Sequence, residues 1–247
     1  MAPKRIAALV FLIGCMAAFP AAAIDGNQIL QKVDRNLEPE SYESYRKLID
    51  IQPDGSSKEY VLFTIKKGRD KVVALFVSPA SDKGRVTLRT GDNMWLYMPS
   101  VGKPIRITSL QSVTGSIFNN ADILRVDYTA EYDVETAEEQ PDAYLLSLKA
   151  KTGDVAYDRL KMWVDKKQLL PVTIEARAAS GLLIKTLHFK DIKDFGGGIK
   201  RPAMLETDSP LHKGYKSVML WSGLKKANFP DEVFTLNYLP RIEDLRK

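Results

Sequence analysis

The chain has 247 residues, of which 45% are hydrophobic and 27% charged, a balance that supports a sizeable core and excludes disordered, collagenous and multi-span membrane classes. Thirty-six basic residues against 31 acidic ones give a net charge of +5; the basic residues are scattered among acids, so no nucleic-acid partner is expected. One cysteine, Cys15, and two histidines, His188 and His212, leave little from which to build a thiolate or imidazole metal site, and neither metal nor cofactor is expected.

Met1 to Arg5 carries two positive charges, Ile6 to Phe19 is apolar or small, and Pro20 precedes Ala21-Ala22-Ala23. This pattern predicts a secretory signal peptide over residues 1–23, and residues 24–247 as a single exported domain in the periplasm. The apolar run is shorter than the roughly 20 residues that a spanning helix needs. Leu12-Ile13-Gly14-Cys15 also fits a lipobox. Lipid anchoring through Cys15 is the less favoured cut, because the residues after it stay apolar where a polar linker is usual.

Asp25-Gly26-Asn27-Gln28 is a capping-box-like start, followed by Ile29, Val33 and Leu37 on one helical face and by Pro39 as a stop. The period then changes from about four to two. Tyr45, Lys47, Ile49 and Ile51 share one face of a strand, Pro53-Asp54-Gly55 turns the chain, and Tyr60 to Lys67 returns as a hairpin. Turn signals recur at short intervals from Gly68 to the Gly196-Gly197-Gly198 run, and between them lie strand-like stretches such as Val72–Val77, Met94–Met98, Leu160–Val164 and Leu182–Phe189. The expected fold is mainly β: one antiparallel meander curved into a sheet or barrel, with few helices.

Residues 108–125 break the alternation. They hold Gly115, Asn119 and Asn120 and an apolar set, Ile117, Phe118, Ile123 and Leu124, and are expected to form a loop with short helices over one opening of the sheet. Glu131, Asp133, Glu135, Glu138 and Glu139 lack the spacing of a calcium loop and read as a charged turn.

The chain contains no G-x-S-x-G elbow, P-loop, H-E-x-x-H, C-x-x-C or dinucleotide fingerprint, and it is expected not to be an enzyme. A hydrolase with a dispersed site using His188 or His212 is the remote alternative. What stands out is apolar surplus: Val72–Val77 and Met94–Met98 are apolar on both faces, so both faces need cover. A hollow interior would enclose an apolar ligand.

Several stretches resemble the outer-membrane lipoprotein-sorting proteins related to the periplasmic carrier LolA. They are residues 78–84 (SPASDKG), 88–100 (LRTGDNMWLYMPS), Arg106-Ile107, 111–116 (QSVTGS) and 120–124 (NADIL), with Trp163-Val164-Asp165 and Leu170-Pro171 further on. The resemblance implies an open, incomplete antiparallel β-barrel of about eleven strands covered by helices, with an apolar cavity for the acyl chains of a lipoprotein or lipid. It also implies an inner-membrane transporter of the resistance-nodulation-division type as partner; the alternative is an accessory module of that transporter that binds no lipid. A monomer is expected. By alternation, Phe63, Leu75, Trp95 and Tyr97 are the expected cavity residues, and Ile117, Phe118, Ile123 and Leu124 the expected lid.

Overall fold

The computed structural model describes residues 25–246, so the expected signal peptide and Cys15 lie outside the described residues. Asp25 caps the opening helix as its sequence predicts: Oδ1 accepts from the backbone N–H of Asn27 at 3.0 Å and of Gln28 at 3.1 Å. This helix, α1 (Gly26–Leu37), buries Ile29, Leu30, Val33 and Leu37 and ends before Pro39. Its first residue must be small. A Cβ on Gly26 would lie 2.7 Å from the Val134 side chain and 2.9 Å from that of Ala137.

All thirteen strands among the described residues belong to one antiparallel sheet. The first six are β1 (Ser41–Ile51), β2 (Ser57–Lys67), β3 (Lys71–Ser78), β4 (Val86–Thr90), β5 (Asn93–Tyr97) and β6 (Ile105–Ile107). After an interruption come β7 (Tyr132–Glu139), β8 (Ala143–Ala150), β9 (Arg159–Asp165), β10 (Pro171–Arg177), β11 (Leu183–Asp194), β12 (Lys200–Asp208) and β13 (Lys216–Lys226). Each strand pairs with its chain neighbours within its half, and β1 pairs with β13 to join the halves. β6 and β7 are therefore the two edges, and the chain crosses from one edge to the other through residues 108–131. That crossing carries two short helices, α2 (Asn120–Ile123) and α3 (Tyr128–Glu131), as the broken alternation predicts.

Thirteen strands laid flat would span roughly 58 Å. Yet one apolar cluster joins Val72, Phe76 and Met94 of the first half to Leu146, Leu160 and Leu187 of the second. The sheet must therefore curl around that cluster, and α1 and residues 108–131 sit within the curve. The opposite face of β2 to β5 has its own cover: Phe229, followed by Phe234, Leu239 and Ile242 of the C-terminal 3-10 segments Asp231–Phe234 and Leu236–Leu245.

Among the described residues the sheet is an open, incomplete barrel of thirteen strands, where the resemblance implied about eleven. The acidic stretch expected to be a turn is the edge strand β7, whose carboxylates mostly face solvent because an edge strand needs only one packed face. The three glycines form the expected wide turn between β11 and β12, all with positive φ.

Candidate functional site

The concave face and its cover form the largest constellation of facing groups. The cover is held by charge as well as by apolar contact. At its tip, Val113 N–H donates to the Phe118 carbonyl at 3.0 Å, and the Asn119–Asp122 capping box starts α2. Val113, Phe118, Ile123, Leu124 and Val126 are buried in the cluster. Lys185 of β11 donates to the Ile117 carbonyl at 2.6 Å and to Asp122 Oδ2 at 2.7 Å, and its ammonium lies 5.3 Å from the Tyr157 ring centroid. Arg46 of β1 donates to the Ile123 carbonyl at 2.6 Å, and Arg89 of β4 to Glu131 at 2.5 Å. α3 is tied to α1 through Asp34, which accepts from the backbone N–H of Tyr128 and Thr129 and from the Thr129 hydroxyl. Burial dominates there and raises the Asp34 carboxyl from 3.8 to about 6.

At the end of α1, Glu38 accepts from Arg125 at 2.8 Å and from the Tyr42 hydroxyl at 3.1 Å; Arg201 lies 3.5 Å and Lys66 3.9 Å away. Burial pushes the Glu38 carboxyl up, but Arg125, Lys66, Arg201 and Arg46 outweigh it and hold it well below the usual carboxylate range.

With the cover in place the interior is filled. The cavity lined by Arg125, Tyr128, Tyr132, Tyr157, Leu187 and Leu205 measures about 30 Å³, room for about one water. A larger cleft of about 450 Å³ opens outside, between α1 and the β2–β3 turn, and it is polar, lined by Asp34, Lys66, Arg69 and Asp127 among others.

Of the four expected lid residues, Phe118, Ile123 and Leu124 lie buried in the cluster under the curve, and Ile117 is buried but outside that cluster. The four expected cavity residues do not. Phe63, Leu75 and Tyr97 pack under the C-terminal segments on the convex face, with Trp95 half-buried beside them. The residues facing inward are their neighbours in register, Leu62, Ala74, Met94 and Leu96. The physical reason is polar content. The inward face of these strands carries Thr64, Lys66, Thr87 and Arg89, so alternation read by hydrophobicity alone selects the other face, which a C-terminal cover buries. Sequence reasoning thus missed Arg46, Lys66, Arg89, Lys185 and Arg201; the available signal was single cations at inward parity in otherwise apolar strands. His188 lies half-exposed 3.3 Å from Asp208, and His212 3.5 Å from Ser209 in the β12–β13 connection.

A family model described as "Uncharacterized protein" matches residues 68–241, more than half of the chain, and the chain belongs to that family. Its solved relatives give the fold a name. A LolA superfamily protein from Nitrosomonas europaea is 29% identical, with a TM-score of 0.79 over 87% of this chain and all of that one. A DUF1329 family protein from Desulfovibrio piger is 24% identical, with a TM-score of 0.74 over 86% of this chain and 96% of that one. An outer membrane lipoprotein-sorting protein domain from Vibrio parahaemolyticus is 20% identical, with a TM-score of 0.74 over 87% and 97%. No curated protein matches the chain in sequence. The resemblance read from the sequence is borne out: the fold is that of the LolA-like, lipoprotein-sorting proteins.

Proposed function

We propose that the protein is a periplasmic, non-enzymatic carrier that shields the acyl chains of a lipoprotein or lipid between the inner and outer membranes. The observation that carries this reading is the cover: an apolar concave face on an open sheet is closed by α1 and by one chain connection, residues 108–131, not by the sheet itself. The likeness to lipoprotein-sorting folds supports it.

Energetics make the exchange feasible. Burying five apolar side chains of the cover stabilises the closed form by on the order of 10 kcal/mol, and a 16-carbon acyl chain gains about 12 kcal/mol on leaving water, before ordering costs. The two terms nearly cancel. Cargo would take the place of Val113, Phe118, Ile123, Leu124 and Val126, keeping net affinity moderate and release feasible. Ile117, beside them on the same segment, is held to the sheet by Lys185 and Ser217, contacts that opening would release.

The filled interior favours a second reading, an accessory module that docks on an inner-membrane transporter of the resistance-nodulation-division type and binds no lipid. Transfer of a pyrene-labelled phosphatidylcholine between donor and acceptor vesicles separates the two. A carrier accelerates transfer in proportion to its concentration. A rate equal to that of vesicles alone favours the module.

A further inference from the structure

The concave face buries more positive charge than it neutralises. Arg46, Lys66, Arg125 and Arg201 gather there, each less than a tenth exposed, and the acids in contact with them are Glu38 and Asp127. Asp127 is itself shared with Arg69. Arg201 is the extreme case. Its side chain is 0% exposed, its Nε donates to the Pro202 carbonyl at 3.1 Å, and both Nη atoms lack a hydrogen-bond acceptor among the described residues. Arg46 Nε, Arg125 Nε and the indole N–H of Trp221 are in the same condition. The Trp221 ring lies between the two sheet arginines, 4.5 Å from Arg201 and 5.6 Å from Arg46.

A buried guanidinium with unmet donors costs stability, and apolar residues of like volume would ordinarily serve the fold better. The planar donor fork matches a phosphate or carboxylate in two parallel hydrogen bonds. We propose that Arg46, Lys66 and Arg201 bind the anionic headgroup, phosphate or carboxylate, of the acyl-bearing ligand, so that the substrate class is an acidic lipid. This rests on the carrier reading above and extends it from the acyl chains to the headgroup.

The cover accounts for how these donors are occupied when it is closed. Arg46 donates to the Ile123 carbonyl, and Lys66 donates to Asp127 at 2.7 Å. Both acceptors belong to residues 108–131. When the segment swings out it takes Arg125 with it, together with three acids, Asp122, Asp127 and Glu131. Arg46, Lys66 and Arg201 are left with Glu38 alone, and Arg89 and Lys185 lose their partners as well. A mono- or dianionic headgroup then replaces the acceptors that the cover withdrew. Burial already pulls the Arg201 guanidinium down to about 10, and a bound anion would reverse that pull.

The test compares wild type with Arg201→Met on three probes: vesicles of dioleoyl phosphatidylglycerol, vesicles of digalactosyl diacylglycerol, whose headgroup carries no phosphate or carboxylate, and inorganic phosphate. Wild type should bind the phosphatidylglycerol vesicles about tenfold more tightly, and the variant should lose that preference while keeping its binding of the uncharged galactolipid. Without ligand the variant should unfold at a urea concentration equal to or above that of wild type, because it discards an unmatched charge. Equal wild-type binding of the two lipids overturns the headgroup site and leaves the carrier reading standing. Phosphate binding that depends on Arg201, with neither lipid bound, supports the anion site and overturns the carrier. Binding of none of the three overturns both. A destabilised variant with its lipid preference intact makes Arg201 structural and overturns the proposal.

Discussion

Replacing Lys185 with Met tests how the cover is held. Lys185 reaches from β11 to two acceptors of the same segment, the Ile117 carbonyl and the Asp122 carboxylate, at 2.6 and 2.7 Å. Both sides of the ion pair are about 95% buried, so the substitution leaves a carboxylate without its cation; breaking such a pair costs about 3–5 kcal/mol. Because both acceptors lie on residues 108–131, the cost falls on the closed position of that segment. The other ties, Arg46 to Ile123 and Arg89 to Glu131, remain. Hydrogen exchange read by mass spectrometry should show amides of 108–131 losing about a hundredfold or more in protection, while β8 and β10 change little. Adding Asp122→Asn should restore part of it, since the orphaned charge is gone. A uniform loss across cover and sheet would show that the two open only together, and would remove the gate.

Four further outcomes follow from the same contacts. In a Trp163→Phe background, acyl-ligand binding should shift Trp221 emission and leave Trp95 unchanged, because Trp221 lies in the inner cluster and Trp95 on the convex face; selective Trp95→Phe and Trp221→Phe variants assign the signal. Ile242→Ala should cost about 2–5 kcal/mol in urea unfolding without altering lipid binding, since Ile242 covers only the convex face. Asp34, raised from 3.8 to about 6, binds a proton more readily folded than unfolded, so it contributes a fall in stability of about 3 kcal/mol as pH rises from about 4 to above 6; Asp34→Asn should flatten that fall in pH-dependent melts. Glu38 works in the opposite direction: its carboxyl is depressed, so the stability it contributes is present above about pH 4.5 and is lost on acidification below it, a loss that Glu38→Gln should abolish.

Periodicity and punctuation in the sequence carried the fold a long way. Asp25 and Pro39 bracket α1, glycine-containing turns space most of the strands, and the missing alternation after Thr108 marks the cover. β7 was not legible as a strand, because its run of carboxylates has the composition of a charged turn. The face of β2 to β5 was not legible either. β3 and β5 are apolar on both faces, β2 and β4 carry Thr64, Lys66, Thr87 and Arg89 inward, and the outer face is buried by a C-terminal segment whose irregular 3-10 turns give no clean period. The candidate site divides the same way. Apolar lid residues announce themselves, whereas Arg46, Lys66 and Arg201 sit about 20 and 135 residues apart in sequence and become one cluster only when β1 pairs with β13.

The central claim is that an acyl-bearing molecule replaces the cover on the concave face. Native mass spectrometry of the protein isolated from its own source without detergent tests this directly. The expected spectrum holds a population heavier than the bare chain by the mass of one acyl-bearing molecule, and that population grows after incubation with dioleoyl phosphatidylglycerol vesicles. The bare mass alone, both as isolated and after incubation, would contradict it.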